Sequence, residues 1–482
     1  MGVTRDLARY VASAKYDDLS PAAIEAAKRA LLNILGNCIA GHRTRIGGLH
    51  VEMALDMGGR EQASIIGHGA RVSMPVAAYA NGNLAFALDY EDTLQYVTHP
   101  GFITCASGLA VGEHLGSSGR ELILALALGY EVVARIGVAM QPSPERGKLV
   151  WGEQYHPFAG AVTAGKLLGL DQEQMDAAFG IAGTYASVPS AYKYFGVVAQ
   201  TRPMREVKLG WGWMCMGATM AALSAHRGFA GGHGILDGEQ GFHVMAGSDR
   251  CDFERITRDL GKGWMIVDTE HKIYPSIARN HPPYHATRQL VETHDIRAAD
   301  VASVVVRGMQ IPLVDDYDPR SAVDAQFSLP HAVVMALVRE PIGPDMHSEA
   351  RLFDPTVRRL LGCIRLEHDK EADALFFNQQ RLRFSVSITM TSGKTVQRDI
   401  EFPRDQPRFG QAELEAKFRS LVGHQLPPSQ VERIIDTVAN LDTLPDVQSL
   451  MRGLSPATGT APSVGVVCPM LFSSFIQPRR FL

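Results

Sequence analysis

The residues with the most chemical potential lie between Leu88 and Gly101. Asp89, Glu91, Asp92, Thr93, Thr98 and His99 crowd into eleven positions. They follow an apolar, small-residue run from Met74 to Ala87 that reads as a buried helix. Polar groups packed at the end of such a helix are costly unless paired or put to use. An aspartate there also meets the negative end of the helix dipole, which argues against a purely structural role. Pro100-Gly101 then breaks regular structure right after His99. The pattern puts an imidazole on a fixed elbow, where it can act as a general acid or base.

Three further segments carry candidate groups. His156 stands in Tyr155-His-Pro-Phe-Ala-Gly160 at what reads as a helix N-terminus, where the dipole favours a neutral imidazole and a bound anion. Lys208 enters a Gly-, Ala- and Met-rich helix and needs an anion from protein or ligand. Arg279 and His281 lie where the helical part gives way to strands, and clefts between such units are common ligand sites. Gly231–Gly238 lacks the spacing of a phosphate loop and reads as a turn. No HExxH, GxSxG, EF-hand or zinc pattern is present, and the six cysteines show no metal-ligand spacing, so no metal is expected.

The elements that must position these groups fall into two kinds. Over residues 1–265, helical periodicity dominates: Ala22–Ala40, Val72–Ala87, Ile103–Glu113, Arg120–Met140, His156–Leu168, Gln172–Ser187, Glu206–Arg227 and Gly238–Ala246. From 266 to 407 the pattern becomes mixed. Ala302–Gly308 is β-branched, and Leu382–Met390 and Thr395–Phe402 alternate across Thr391-Ser-Gly-Lys394 as a hairpin. Helices are expected between these strands at His285–Thr293, Ser328–Val338 and Pro355–Leu361. Residues 411–452 return to amphipathic helix. The fold class expected is mainly α: a large all-helical domain, 1–265 completed by 408–454, plus a smaller α+β lid over 266–407. Residues 455–482 read as a loosely ordered tail.

Hydrophobic residues make up 46% of the 482 and charged residues 20%, with a net charge of −4. That balance fits a globular enzyme and carries no basic footprint for nucleic acid. No apolar run of about 18 residues escapes a charge or breaker, and the N-terminus lacks signal-peptide character, so neither membrane nor export is expected. A cytoplasmic location follows from that reading.

Taken in order, the motifs resemble the 2-methylcitrate dehydratase (MmgE/PrpD) family. The carriers are Tyr79-Ala-Asn-Gly82, Asp89-Tyr-Glu-Asp-Thr93, Thr98-His-Pro-Gly101, Tyr155-His-Pro157, Val207-Lys208, Arg227-Gly-Phe229, Lys272-Ile-Tyr-Pro275 with His281, Phe327-Ser-Leu-Pro330 and Ala416-Lys-Phe418. The resemblance implies a homodimer without cofactor and a site between two domains, made of Asp89, Thr93, His99, His156, Lys208 and His281. The chain departs from the family pattern at Leu94 and at His331, where histidine and tyrosine are frequent. Arg279 and His331 are placed on the substrate side.

The implied activity is a lyase acting on a hydroxylated di- or tricarboxylic acid of the 2-methylcitrate type. A proton α to a carboxylate is removed and water is lost, with cations beside the charge that develops. Decarboxylation of a cis-aconitate-like acid, epimerisation of a small dicarboxylate, and carboxylate binding without catalysis are the alternatives.

Overall fold

The computed structural model describes residues 2–94, 98–147, 149–150, 154–186, 210–309, 315–407 and 409–455. Lys208 and the tail beyond Ser455 lie outside them.

The first half builds helices with ordinary start signals. Ser20 accepts a hydrogen bond from the Ala23 N–H at the head of Pro21–Gly41, and Ser118 with Glu121 forms a capping box on Gly119–Ala139. Several of these helices have no polar face. All 13 residues of Met74–Phe86 are buried, because helices Pro21–Gly41, Gly101–Leu115 and Trp211–His226 surround it. Glycine permits this crowding: a Cβ on Gly160 would stand 2.7 Å from that of Ala218. Gly119–Ala139 is long and apolar enough by composition to cross a membrane, yet 94% of its most apolar stretch is buried inside the protein. It is a core helix, pinned by a buried Glu131–Arg135 pair at 2.6 Å.

One hydrophobic core runs from Leu7 to Ile266 and takes in Leu414, Phe418, Leu421, Ile434, Ile435 and Leu450 from the final helices Gln411–Val422, Pro428–Ala439 and Val447–Gly453. A second core gathers residues from Ile273 to Phe402. Its four-stranded sheet has the order Ile364–His368, Val301–Gly308, Leu382–Met390, Thr395–Phe402, with the first pair parallel and the others antiparallel. In Leu382–Met390 the inward residues Leu382, Phe384, Val386 and Ile388 alternate with less buried ones, the period-two signature of a half-covered strand. Helices His281–His294 and Leu329–Leu337 pack beside one another, and the first also covers the hairpin.

Two expectations need adjustment. The helix expected over Gly238–Ala246 shrinks to Phe242–Met245, because Gly238 takes φ +70° and the chain turns until Gly241. Besides Ala63–Ser64, which falls in the extended piece expected from the sequence over Gln62–Gly67, the helical half also carries short strands at Arg71–Val72 and Asp92–Leu94. The last pairs antiparallel with Thr269–His271, setting Asp92 opposite His271. That pairing is what assembles the site.

Candidate active site

The acid-rich segment leaves its helix through Asp89, which adopts a left-handed φ of +53°. Such a conformation is uncommon outside glycine, though aspartate tolerates it better than most. The turn drives Asp89, Glu91 and Asp92 into the interior, each no more than 1% exposed. Three buried carboxylates demand partners, and the strand pairing delivers one. Lys272 follows Thr269–His271, and its backbone N–H donates to the Glu91 carbonyl at 3.1 Å. Its ammonium lies 2.7 Å from Glu91 Oε1 and 3.3 Å from Asp89 Oδ2. Burial works against the charge of Lys272, but Asp89 and Glu91 outweigh it and raise its pKa above the usual lysine value. The Glu91 carboxyl, opposed by burial, is held down to about 2 by Lys272 and His99.

Lys417, from Gln411–Val422, locks the assembly. Its ammonium donates to the Tyr90 carbonyl (2.6 Å), the Lys272 carbonyl (2.9 Å) and Asn33 Oδ1 (2.8 Å), and it sits 3.6 Å from the Tyr90 ring centre. Burial drives its pKa well below normal. Lys417 thus ties the acid turn to the lysine segment.

Asp92 resolves the dipole problem in another way. Its Oδ1 accepts the Gly101 N–H at 3.2 Å, at the start of helix Gly101–Leu115, where a negative charge is favoured. Its Oδ2 accepts the Tyr130 hydroxyl. Burial raises the Asp92 pKa to about 6, against the opposing hydrogen bond from Tyr130. Gly101 is the residue this contact requires: a Cβ there would meet Asp92 Oδ2 at 2.6 Å and the Tyr130 hydroxyl at 2.7 Å.

His99 sits on the elbow so formed. Its Nδ1 lies 2.6 Å from the Asp92 carbonyl oxygen and 3.1 Å from Glu91 Oε1. Both neighbours only accept, so Nδ1 carries the proton and exchange with a ligand falls to Nε2. The ring meets Phe86 edge-on at 5.5 Å, and Phe86 stacks in turn on Trp211. With 19% of its side chain exposed, His99 is the most accessible titratable group of the cluster.

The other expected residues are placed as follows. Thr93 is buried in the strand opposite Glu270. His156 begins helix His156–Leu167 directly behind His99 and is fully buried. Its Nε2 accepts the His99 N–H at 3.3 Å and lies 3.1 Å from the Thr98 hydroxyl, so its proton resides on Nδ1. In this arrangement His156 holds the backbone of His99. His281 begins helix His281–His294, and its Nε2 lies 3.1 Å from the Ser276 carbonyl oxygen. Burial and then the nearby Lys272 lower its pKa to about 3, so it is neutral. Arg279 pairs with Asp315 at 2.6 Å, while its Nε and Nη1 remain buried without hydrogen-bond partners.

His331 stands apart, fully buried in Leu329–Leu337 with its ring 5.3 Å from that of His347. No described hydrogen bond or ring contact joins it directly to Lys272 or His99. Among the described residues no group of three or more His, Cys, Asp or Glu is arranged to hold a metal ion.

Sequence reasoning did not single out Lys272, Lys417 or Tyr130, and it placed Glu91 and Asp92 in the acid cluster without giving either a role in the site. Lys272 and Lys417 stand in two of the quoted motifs, Lys272-Ile-Tyr-Pro275 and Ala416-Lys-Phe418. A buried acid cluster without a local cation was the signal that a distant lysine must complete it.

Comparison with known proteins agrees with this architecture. The chain is 26% identical over 476 residues to cis-aconitate decarboxylase of Mus musculus, covering 93% of each chain. It is 25% identical over 477 residues to the Homo sapiens enzyme of that name, covering 94% of this chain and 95% of the other. With the cis-aconitate decarboxylase of Aspergillus terreus it shares 24% over 484 residues, 94% and 96% of the two chains. Residues 5–254 match the MmgE/PrpD N-terminal domain and residues 274–443 the MmgE/PrpD C-terminal domain. With both domains matched in order and the acid turn of the first closed by a lysine just ahead of the second, the chain belongs to the MmgE/PrpD family and is an enzyme of the lyase kind.

Proposed function

We propose that this chain is a lyase of small polycarboxylates, and that it decarboxylates a cis-aconitate-like acid without a cofactor. The observation that carries the reading is one buried ammonium, Lys272, held between Asp89 and Glu91 beside an accessible imidazole, His99. In decarboxylation the C–C bond to one carboxylate breaks and CO2 leaves. The electron pair stays on the carbon skeleton and spreads through the adjacent alkene toward a remaining carboxylate. A proton from an acid then closes the reaction. A cation that reaches the remaining carboxylate stabilises the charge that develops there, and His99 Nε2 delivers the proton. The buried Arg279, with its Nε and Nη1 uncommitted, is the group we assign to a substrate carboxylate.

Dehydration of a 2-methylcitrate-type acid would use the same groups, with His99 taking a proton α to a carboxylate. The similarity to cis-aconitate decarboxylases along more than nine-tenths of the chain favours loss of CO2. Incubation of the purified protein with cis-aconitate, citrate and 2-methylcitrate in deuterated water, followed by NMR, tests this. The expected result is a product one carbon shorter from cis-aconitate, carrying one deuterium. An alkene formed from 2-methylcitrate with no carbon lost would replace decarboxylation by dehydration, and no turnover of any of the three would refute the reading.

A further inference from the structure

His99 meets two different acceptors at one nitrogen. The Asp92 carbonyl oxygen, at 2.6 Å, is neutral and well placed to fix which nitrogen carries the proton. Glu91 Oε1, at 3.1 Å, adds something a carbonyl does not, a full negative charge. Glu91 is completely buried, so water does not screen that charge. Lys272, at 2.7 Å from the same oxygen, anchors the carboxylate and keeps it ionised. We propose that Glu91 is a positioning residue for catalysis by His99: its buried carboxylate, anchored on Lys272, raises the basicity of His99 Nε2 and stabilises the imidazolium form. This rests on reading His99 as the proton-transfer group.

The charges around His99 come from several elements. Asp89 and Glu91 lie on its own turn, and Asp92 is held by Tyr130 from Gly119–Ala139. Lys272 enters from the segment after Thr269–His271, Lys417 from Gln411–Val422, and neutral His156 from the helix behind. The two lysines oppose protonation of His99, but each spends its charge on nearer partners: Lys272 on Asp89 and Glu91, Lys417 on three carbonyl-type oxygens. Removing the charge of Glu91 alone therefore leaves His99 facing cations with less to offset them. Its pKa must fall.

The test is Glu91→Gln in the full chain, with Glu91→Asp as the charge-keeping control. Histidine-selective 15N NMR, with His99 assigned by comparison with His99→Gln, reads both tautomer and titration midpoint. For Glu91→Gln the expected result is an unchanged Nδ1–H tautomer and a midpoint lowered by about one unit or more. The acid limb of kcat/KM on cis-aconitate should move down in step, while Glu91→Asp restores both toward wild type. A midpoint that does not move in Glu91→Gln would overturn the proposal. Should that variant fail to fold, the wild type decides: a His99 midpoint above the ordinary value of about 6.5 supports the proposal, and one below it overturns the proposal. The NMR arm needs no substrate. A chain that turns over no polycarboxylate while His99 titrates as stated would defeat the functional reading and leave standing only the effect of Glu91 on the basicity of His99.

Discussion

Lys272 is the residue on which the local electrostatics turn. Its ammonium occupies the space between two buried carboxylates. Replacing it by Met leaves Asp89 and Glu91 buried without their cation. Removing one partner from a buried ion pair costs about 3–5 kcal/mol. Lys272→Met should lose about that much in urea denaturation at pH 8 and recover part of it at pH 5, where the orphaned acids take up protons. An unchanged midpoint at pH 8 would show that the carboxylates are not charged in the folded chain. Asp92 behaves in the opposite sense. Its folded pKa, about 6, lies above the unfolded value of 3.8. Its contribution is fully present below about pH 4 and is lost as pH rises through 6. Asp92→Asn should therefore flatten the decline in stability between pH 4 and 7 relative to wild type, and two parallel profiles would contradict the assignment.

At the scale of elements, the elbow at His99-Pro100-Gly101 links fold to chemistry. Gly101→Ala places a methyl against Asp92 and Tyr130, which must move to admit it. Overpacking of this kind costs about 1–3 kcal/mol. Because Asp92 also holds His99 through its carbonyl oxygen, kcat should fall together with Tm. A variant that keeps full activity would show that the elbow tolerates displacement.

The same elements show what sequence alone makes legible. The hairpin was readable to the residue, because alternation and a Gly-containing turn are both local signals: Leu382 pairs with Phe402 and Thr389 with Thr395. The buried helix ending in an acid cluster was readable from Met74–Asp92 for the same reason. The Asp92–His271 pairing was not. It joins strands of three residues each, far apart in the chain, and no periodicity encodes such a contact. In the sequence Lys272 therefore stands only within a motif, with no local signal that marks it as the counter-charge of the acids. His156 was legible as a helix start, but its acceptor role toward the His99 backbone depends on a tertiary distance.

At the scale of the molecule, the turn holding His99 lies between the two cores. Lys272 N–H to Glu91, the Tyr90 hydroxyl to the Ile273 carbonyl, and Gln326 Nε2 to the Ala87 carbonyl all cross there. The family resemblance implies a homodimer, and the helical half exposes Leu49, Met53 and Trp213, the last two flanking Tyr79. A second copy covering this face would bury them, so light scattering at micromolar concentration should give twice the mass of one chain; a monomer would contradict that. We propose His99 as the group that moves the proton in a lyase reaction on a polycarboxylate. Its most direct test is kcat on cis-aconitate for wild type and His99→Ala, with Tm measured alongside. The variant should lose about 10²–10⁴-fold in kcat at nearly unchanged Tm, the usual contribution of a positioned proton-transfer group. A folded His99→Ala variant with wild-type kcat would contradict it.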